Sequence, residues 1–224
     1  MITTVLIATI VVLFAIIFVL SLVIVLGYPR ELPFQPFEMT VDEMIRSAKT
    51  GDLMLFRFRQ FEGIMYFTFF THVGMVIVGA DGKKRLLETN PWWGLTPGVP
   101  FGDAVVLLLE HRIRSDLKSQ KIYFYPLVDA LPEKKETEIR EAVDGMAGRY
   151  PPSPRRFVSD FTMACVRRKN KKKKTMNCSQ LAAEALGVVG LTDVDHSCIV
   201  PDHFVTHPAY GSLYELTDDK TSEG

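Results

Sequence analysis

The chain has 224 residues, 47% of them hydrophobic and 23% charged, which suits one domain with a sizeable core. Its 26 basic and 26 acidic side chains cancel, so the global charge gives no reason to expect nucleic acid as a partner. Three cysteines are too sparse and too odd a set for a disulfide framework.

From Ile2 to Leu26 there is no charged residue, and only Thr3, Thr4, Thr9 and Ser21 interrupt the apolar run. A bilayer crossing needs ~20 apolar residues. No basic n-region, short h-region and small-x-small cleavage site stands out, so residues 1–27 read as an uncleaved transmembrane anchor rather than a signal peptide. The run is too long and uniform for a buried core helix. Only the α-amine precedes the span, whereas Arg30 and Arg46 follow it, which favours a cytosolic folded domain on a single-pass membrane protein. The sparse cysteines agree, and so does the formal glycosylation sequon Asn177-Cys178-Ser179, which a lumenal location would expose to modification. Residues 28–38, rich in proline and aromatic side chains, read as a stiff linker, and residues 39–224 as the folded domain.

Thr40-Val41-Asp42-Glu43 is a capping-box pattern that predicts a short helix through Met44, Ile45 and Ala48, ending near Thr50-Gly51. Gly51 to Phe58 reads as a strand, and the aromatic-rich segment to Phe70 as a helix or an elaborated loop. Thr71-His72-Val73-Gly74-Met75-Val76-Ile77-Val78 predicts a strand opened by a histidine. Ala80-Asp81-Gly82-Lys83 is a turn signal, after which Arg85 to Thr89 returns antiparallel and brings Glu88 beside His72. Asn90 to Gly102 is a loop, and its Trp92-Trp93 pair suits either a substrate wall or a cap over the core. Further strands are expected at Ala104 to Leu109 and Lys121 to Leu127. An amphipathic helix is expected from Pro132-Glu133 through Met146, and another helix at Phe157 to Val166.

Arg167 to Lys174 is basic throughout except for Asn170. Such a run is either a solvated loop or a contact with anionic lipid, where each cation contributes about 1 kcal/mol. Downstream, Asn177-Cys178-Ser179-Gln180-Leu181 opens a helix-forming stretch and places Cys178 in its first turn. A helix start favours thiolate over thiol and supplies N–H donors to a developing oxyanion. Read alone, a cysteine in an Ala/Leu helix and a histidine on a core strand are commonly packing residues. His203 and His207 are spaced to share a helical face but lack further ligands, so no metal or cofactor is expected.

The ordered set Gly51-Asp52-Leu53, Thr71-His72-Val73-Gly74, Leu87-Glu88 and Cys178-Ser179-Gln180-Leu181 resembles the circularly permuted papain-like cysteine amidases and peptidases of the NlpC superfamily, the YaeF/YiiX-like branch in particular. Asn177-Cys178 also resembles the more distant lecithin:retinol acyltransferase group, which typically carries a second histidine about where this chain has Glu88. The resemblance implies an α+β fold with an antiparallel sheet or partial barrel packed against helices. It also implies a thiol acyl-transfer site: Cys178 as nucleophile, His72 as general base and acid, and Glu88 orienting the imidazole. The substrate would contain an amide or ester bond. A phospholipid acyltransferase or phospholipase, and a catalytically silent membrane-tethered binding module, are the alternatives.

Overall fold

The computed structural model describes residues 9–10, 12–15, 17–18, 32, 34–58, 69–89, 104–146, 178–192, 199 and 201–218. In chain order the elements are β1 (Phe37–Thr40), α1 (Val41–Ser47), β2 (Leu53–Phe58), β3 (His72–Val78), β4 (Lys84–Thr89) and β5 (Ala104–Leu108). Then come α2 (Leu109–Asp116), β6 (Gln120–Tyr125), α3 (Glu133–Met146), α4 (Cys178–Val188), a 3-10 turn at Pro201–Phe204, and β7 (Tyr214–Thr217). The architecture is α+β: a seven-stranded sheet in the order β1-β7-β6-β2-β3-β4-β5. The β1–β7 pair is parallel and the other pairs are antiparallel, so the sheet is mixed where an antiparallel one was expected.

Successive residues of a strand face opposite sides, and here both sides are covered. Leu53, Leu55, Val73, Met75, Ile77 and Leu87 share one core with side chains of α3 and α4. Met54, Phe56, Val76, Leu86 and Phe124 share the other with Val41 and Met44 of α1 and Leu109 and Ile113 of α2. This double burial explains why β3 reads as an unbroken apolar run after His72.

Local chemistry sets the boundaries. Thr40 Oγ1 accepts from Glu43 N (3.3 Å) and Thr40 N donates to Glu43 Oε2 (3.0 Å), closing the predicted capping box on α1. Gly51 has φ +96°, and a Cβ there would stand 2.6 Å from Leu127 Cδ1, so glycine is required twice over. Asp52 accepts from Lys49 N (2.7 Å) and Leu127 N (2.8 Å), tying the entry of β2 to the exit of β6. The β3–β4 hairpin turns at Asp81-Gly82, with Gly82 at φ +73°.

Several expectations need correction. The strand predicted through Leu109 ends at Leu108, and Leu109–Asp116 is helix; its buried stripe is Leu109, Arg112, Ile113 and Asp116, so two charged residues disguise a helical period. Phe37 and Glu38, assigned to the linker, belong to β1. His203 lies in the 3-10 turn and His207 beyond it, so the two do not share a helical face. Most of the expected span from Ile2 to Leu26 lies outside the described residues. Those described between 9 and 18 are helical, and Ile10, Val12, Leu13, Phe14, Ile17 and Phe18 are exposed. Among the described residues no helix is long and apolar enough to cross a membrane. The Trp92-Trp93 loop, the helix expected at 157–166, the basic run 167–174, and Cys165 and Cys198 also lie outside them.

Candidate active site

His72 is fixed by the chain on either side of it. Thr71 donates to Phe56 O through both its N–H (2.8 Å) and its hydroxyl (3.0 Å), which starts the β2–β3 pairing. Just upstream, Phe69 N (2.6 Å) and Phe70 N (2.8 Å) donate to the Asp202 carboxylate, whose burial pushes its pKa up to about 6. In register His72 lies opposite Phe56, and the two rings sit 5.3 Å apart. Gly74 has no space for a side chain, since a Cβ would come within 2.8 Å of Leu86 Cδ1. That packing accounts physically for the glycine two residues after the histidine.

Glu88 reaches the ring as the hairpin predicts. Leu87 pairs with Met75, so the next residue of β4 returns to the face that carries His72. Glu88 Oε2 lies 2.8 Å from His72 Nε2, with both side chains buried. Behind it stands Arg112 of α2, also buried: Arg112 Nε donates to Glu88 Oε1 (2.6 Å) and Nη2 to Oε2 (3.2 Å). Burial works to raise the Glu88 pKa, but His72 and Arg112 outweigh it and hold the carboxyl below its usual range.

Cys178 is the first residue of α4, a half-buried residue whose free thiol is turned inward toward His72. It arrives from the α4 side of the sheet, whereas His72 and Glu88 belong to the α2 side; they meet at the start of β3. Its sulfur meets the His72 ring and the Val73 backbone N–H, and lies 3.9 Å from Ser179 Oγ. Glu88 holds Nε2, so Nδ1 is the ring nitrogen available to the sulfur. Burial works to raise the thiol pKa, yet the imidazolium, Val73 N–H and Ser179 leave it below the ordinary value. Conversely, burial opposes charge on His72, but Cys178 and Glu88 push its pKa up to about 9. Each shift favours the charged form of its group, thiolate on Cys178 and imidazolium on His72.

Sequence reasoning placed Cys178, His72 and Glu88 near one another and missed Arg112. The available signal was the i,i+4 pair Arg112 and Asp116 lying on the same stripe as Leu109 and Ile113. Asp202 was missed as well, since its partners are main-chain amides far away in sequence. No three His, Cys, Asp or Glu side chains stand together as a metal site among the described residues.

With this geometry in view, no family model matches the chain, and no curated protein matches it by sequence. Among solved structures it is similar to the metalloprotein yiiX from Escherichia coli O157:H7, with a TM-score of 0.50 and 13% identity over 74% of this chain and 96% of that one. At that identity the likeness speaks for the fold, a YaeF/YiiX-like α+β architecture.

Proposed function

We propose that the chain is a thiol hydrolase of the permuted papain-like kind, cleaving an amide or ester bond through an acyl-enzyme on Cys178. The observation that carries this reading is a cysteine at a helix start in contact with a histidine whose far nitrogen is 2.8 Å from a buried carboxylate. Each part has a chemical role. The Cys178 thiolate attacks the acyl carbon, and the tetrahedral oxyanion takes a hydrogen bond from the N–H at the α4 start. As the C–N or C–O bond breaks, His72 gives its Nδ1 proton to the leaving group. Water then enters: His72 removes a proton from it, the oxygen attacks the thioester, the C–S bond breaks, and the acid leaves with the thiolate restored. Glu88 keeps the ring oriented and favours its charged form throughout.

The similar bacterial protein is described as a metalloprotein. The described residues around Cys178 do not assemble a metal's ligands, and no step here runs through one. The charge-free stretch 2–26 and the exposed apolar side chains at Ile10, Val12, Leu13, Phe14, Ile17 and Phe18 support membrane attachment as part of the same proposal.

The test is acyl trapping on the full chain. Peptide amides, simple esters and phospholipids in mixed micelles are supplied separately, and the peptide containing Cys178 is weighed by mass spectrometry. An acyl adduct that turns over, and is absent in Cys178→Ala, is expected. Lipid products alone would move the reading to a phospholipase or acyltransferase. Ligand capture by Cys178→Ala, with no adduct on the wild-type protein from any substrate class, would replace the enzyme by a binding module.

A further inference from the structure

A fully buried arginine is unusual, because guanidinium desolvation is costly and an ion pair seldom repays it better than packed apolar side chains would. Arg112 is such a residue. It grips Glu88 with a two-pronged fork (2.6 and 3.2 Å), and its Nη1 pairs with the buried Asp116 one turn along α2. Asp116 in turn accepts from the amide of buried Gln120 on β6. The guanidinium carbon lies 5.2 Å from the centre of the Phe56 ring, the same ring that contacts His72. The ionisable groups therefore run in one line of alternating sign: Cys178 thiolate, His72 imidazolium, Glu88 carboxylate, Arg112 guanidinium, Asp116 carboxylate.

Building on the reading of Cys178 and His72 given above, we propose that Arg112 is a positioning residue for the thiol pair. From the far side of Glu88 it fixes both carboxylate oxygens, so that His72 always meets an ionised carboxylate in one orientation. Without the guanidinium, Glu88 and Asp116 would face one another as two buried acids of like charge, and one of them would take up a proton. Glu88 is the more damaging place for that proton, because a neutral carboxyl no longer stabilises the imidazolium. The fork matters as well as the charge. A carboxylate held at both oxygens by a planar donor set has one rotamer, whereas a point charge leaves it free to turn.

This role and a purely through-space one have opposite signs. A distant cation disfavours a second cation, so if Arg112 acted only through its field, removing it would make His72 easier to protonate. If Arg112 acts through Glu88, removing it makes His72 harder to protonate and raises the thiol pKa with it.

The experiment follows the His72 ring carbon by NMR through a pH titration of the full chain, with the signal identified among the five histidines by its absence in His72→Gln. Iodoacetamide labelling of Cys178 is measured on the same samples. The expected result is a high His72 midpoint in the wild type. In Arg112→Met it falls by at least one pH unit and Cys178 labelling at pH 6.5 drops about tenfold, with Arg112→Lys in between. Asp116→Asn, which weakens the guanidinium's second partner while leaving its charge and fork on Glu88, is expected to shift the midpoint less than Arg112→Met does. An unchanged or raised midpoint in Arg112→Met overturns the proposal while leaving the thiol pair standing. A wild-type midpoint near 6.5 with an ordinary Cys178 thiol overturns the reading of the whole site, and the role of Arg112 with it. If Arg112→Met does not fold, Arg112→Lys decides by the same criterion.

Discussion

Replacing His72 by glutamine isolates the part of the lowered Cys178 pKa that comes from the imidazolium. Glutamine keeps a polar side chain of similar reach to Glu88 but cannot carry a proton charge. In the wild type the His72 pKa stands at about 9 against an ordinary 6.5, which corresponds to about 3 kcal/mol of net stabilisation of the imidazolium after its burial has been offset. Coupling between two titrating groups is reciprocal, so the thiolate's share of that stabilisation is returned in full to Cys178. Once the imidazolium is gone, burial becomes the dominant influence on the thiol, opposed only by Val73 N–H and Ser179. A thiol of unperturbed pKa ~8.5 is only ~1% thiolate at pH 6.5, and burial lowers that fraction further, so iodoacetamide labelling of Cys178 at that pH should be at least tenfold slower in His72→Gln. Mass spectrometry of the Cys178 peptide separates it from Cys165 and Cys198. Rates within threefold of one another at pH 6.5 would refute the pairing. The same shift has a stability consequence: a raised histidine pKa contributes stability that is fully present below pH 6.5 and lost as pH rises through about 9. The lowered Cys178 pKa acts in the opposite sense over the same range, because the folded thiolate–imidazolium and the unfolded thiol–imidazole hold equal numbers of protons, so the wild-type urea midpoint should change little between pH 6.5 and pH 8.5; a steep fall there would mean a charged histidine without a thiolate partner.

Gly51→Ala should lower the unfolding free energy by about 3 kcal/mol, combining a φ of +96° with a Cβ 2.6 Å from Leu127 Cδ1; an unshifted urea midpoint would disprove the account of that turn. Asp52 is buried and its pKa is pushed up to about 6, mainly by desolvation, from 3.8. Its contribution to stability is therefore greatest below pH 4 and falls by about 3 kcal/mol as pH rises through 6. Asp52→Asn removes that slope, so its stability relative to wild type should improve between pH 4 and pH 8, and a pH-independent difference would refute the assignment.

The parts of the fold that were legible in the sequence are those where one residue type has one physical use. Thr40 and Glu43 announce the α1 cap because few other side chains can close both hydrogen bonds, and Asp81-Gly82 announces the hairpin because Gly82 must adopt a positive φ. That hairpin gave Glu88 its place beside His72 without any knowledge of the remaining strands. What the sequence hid was α2, because helical periodicity is read from apolar side chains and half of its buried stripe is charged. Arg112 and Asp116 can occupy core positions only because each satisfies the other and Glu88 accepts the fork. Pattern reading cannot anticipate such mutual neutralisation from either residue alone. The parallel pairing of β1 with β7 was equally hidden, since it joins the two ends of the domain and no local signal specifies it.

The two halves of the candidate site are held by different forces. On the α2 side, His72, Glu88, Arg112 and Asp116 are locked by short, charge-assisted contacts in which a small displacement leaves a buried charge unpaired. On the other side, α4 docks through Leu181, Ala182, Ala185 and Leu186 against an apolar core, where a comparable displacement costs dispersion and little else. The imidazole is thus the fixed reference of the pair, and the position of Cys178 depends on how α4 packs. Truncations in the α4 core should consequently impair the thiol's activation out of proportion to their effect on the Glu88 cluster, even though none of those side chains takes part in the chemistry.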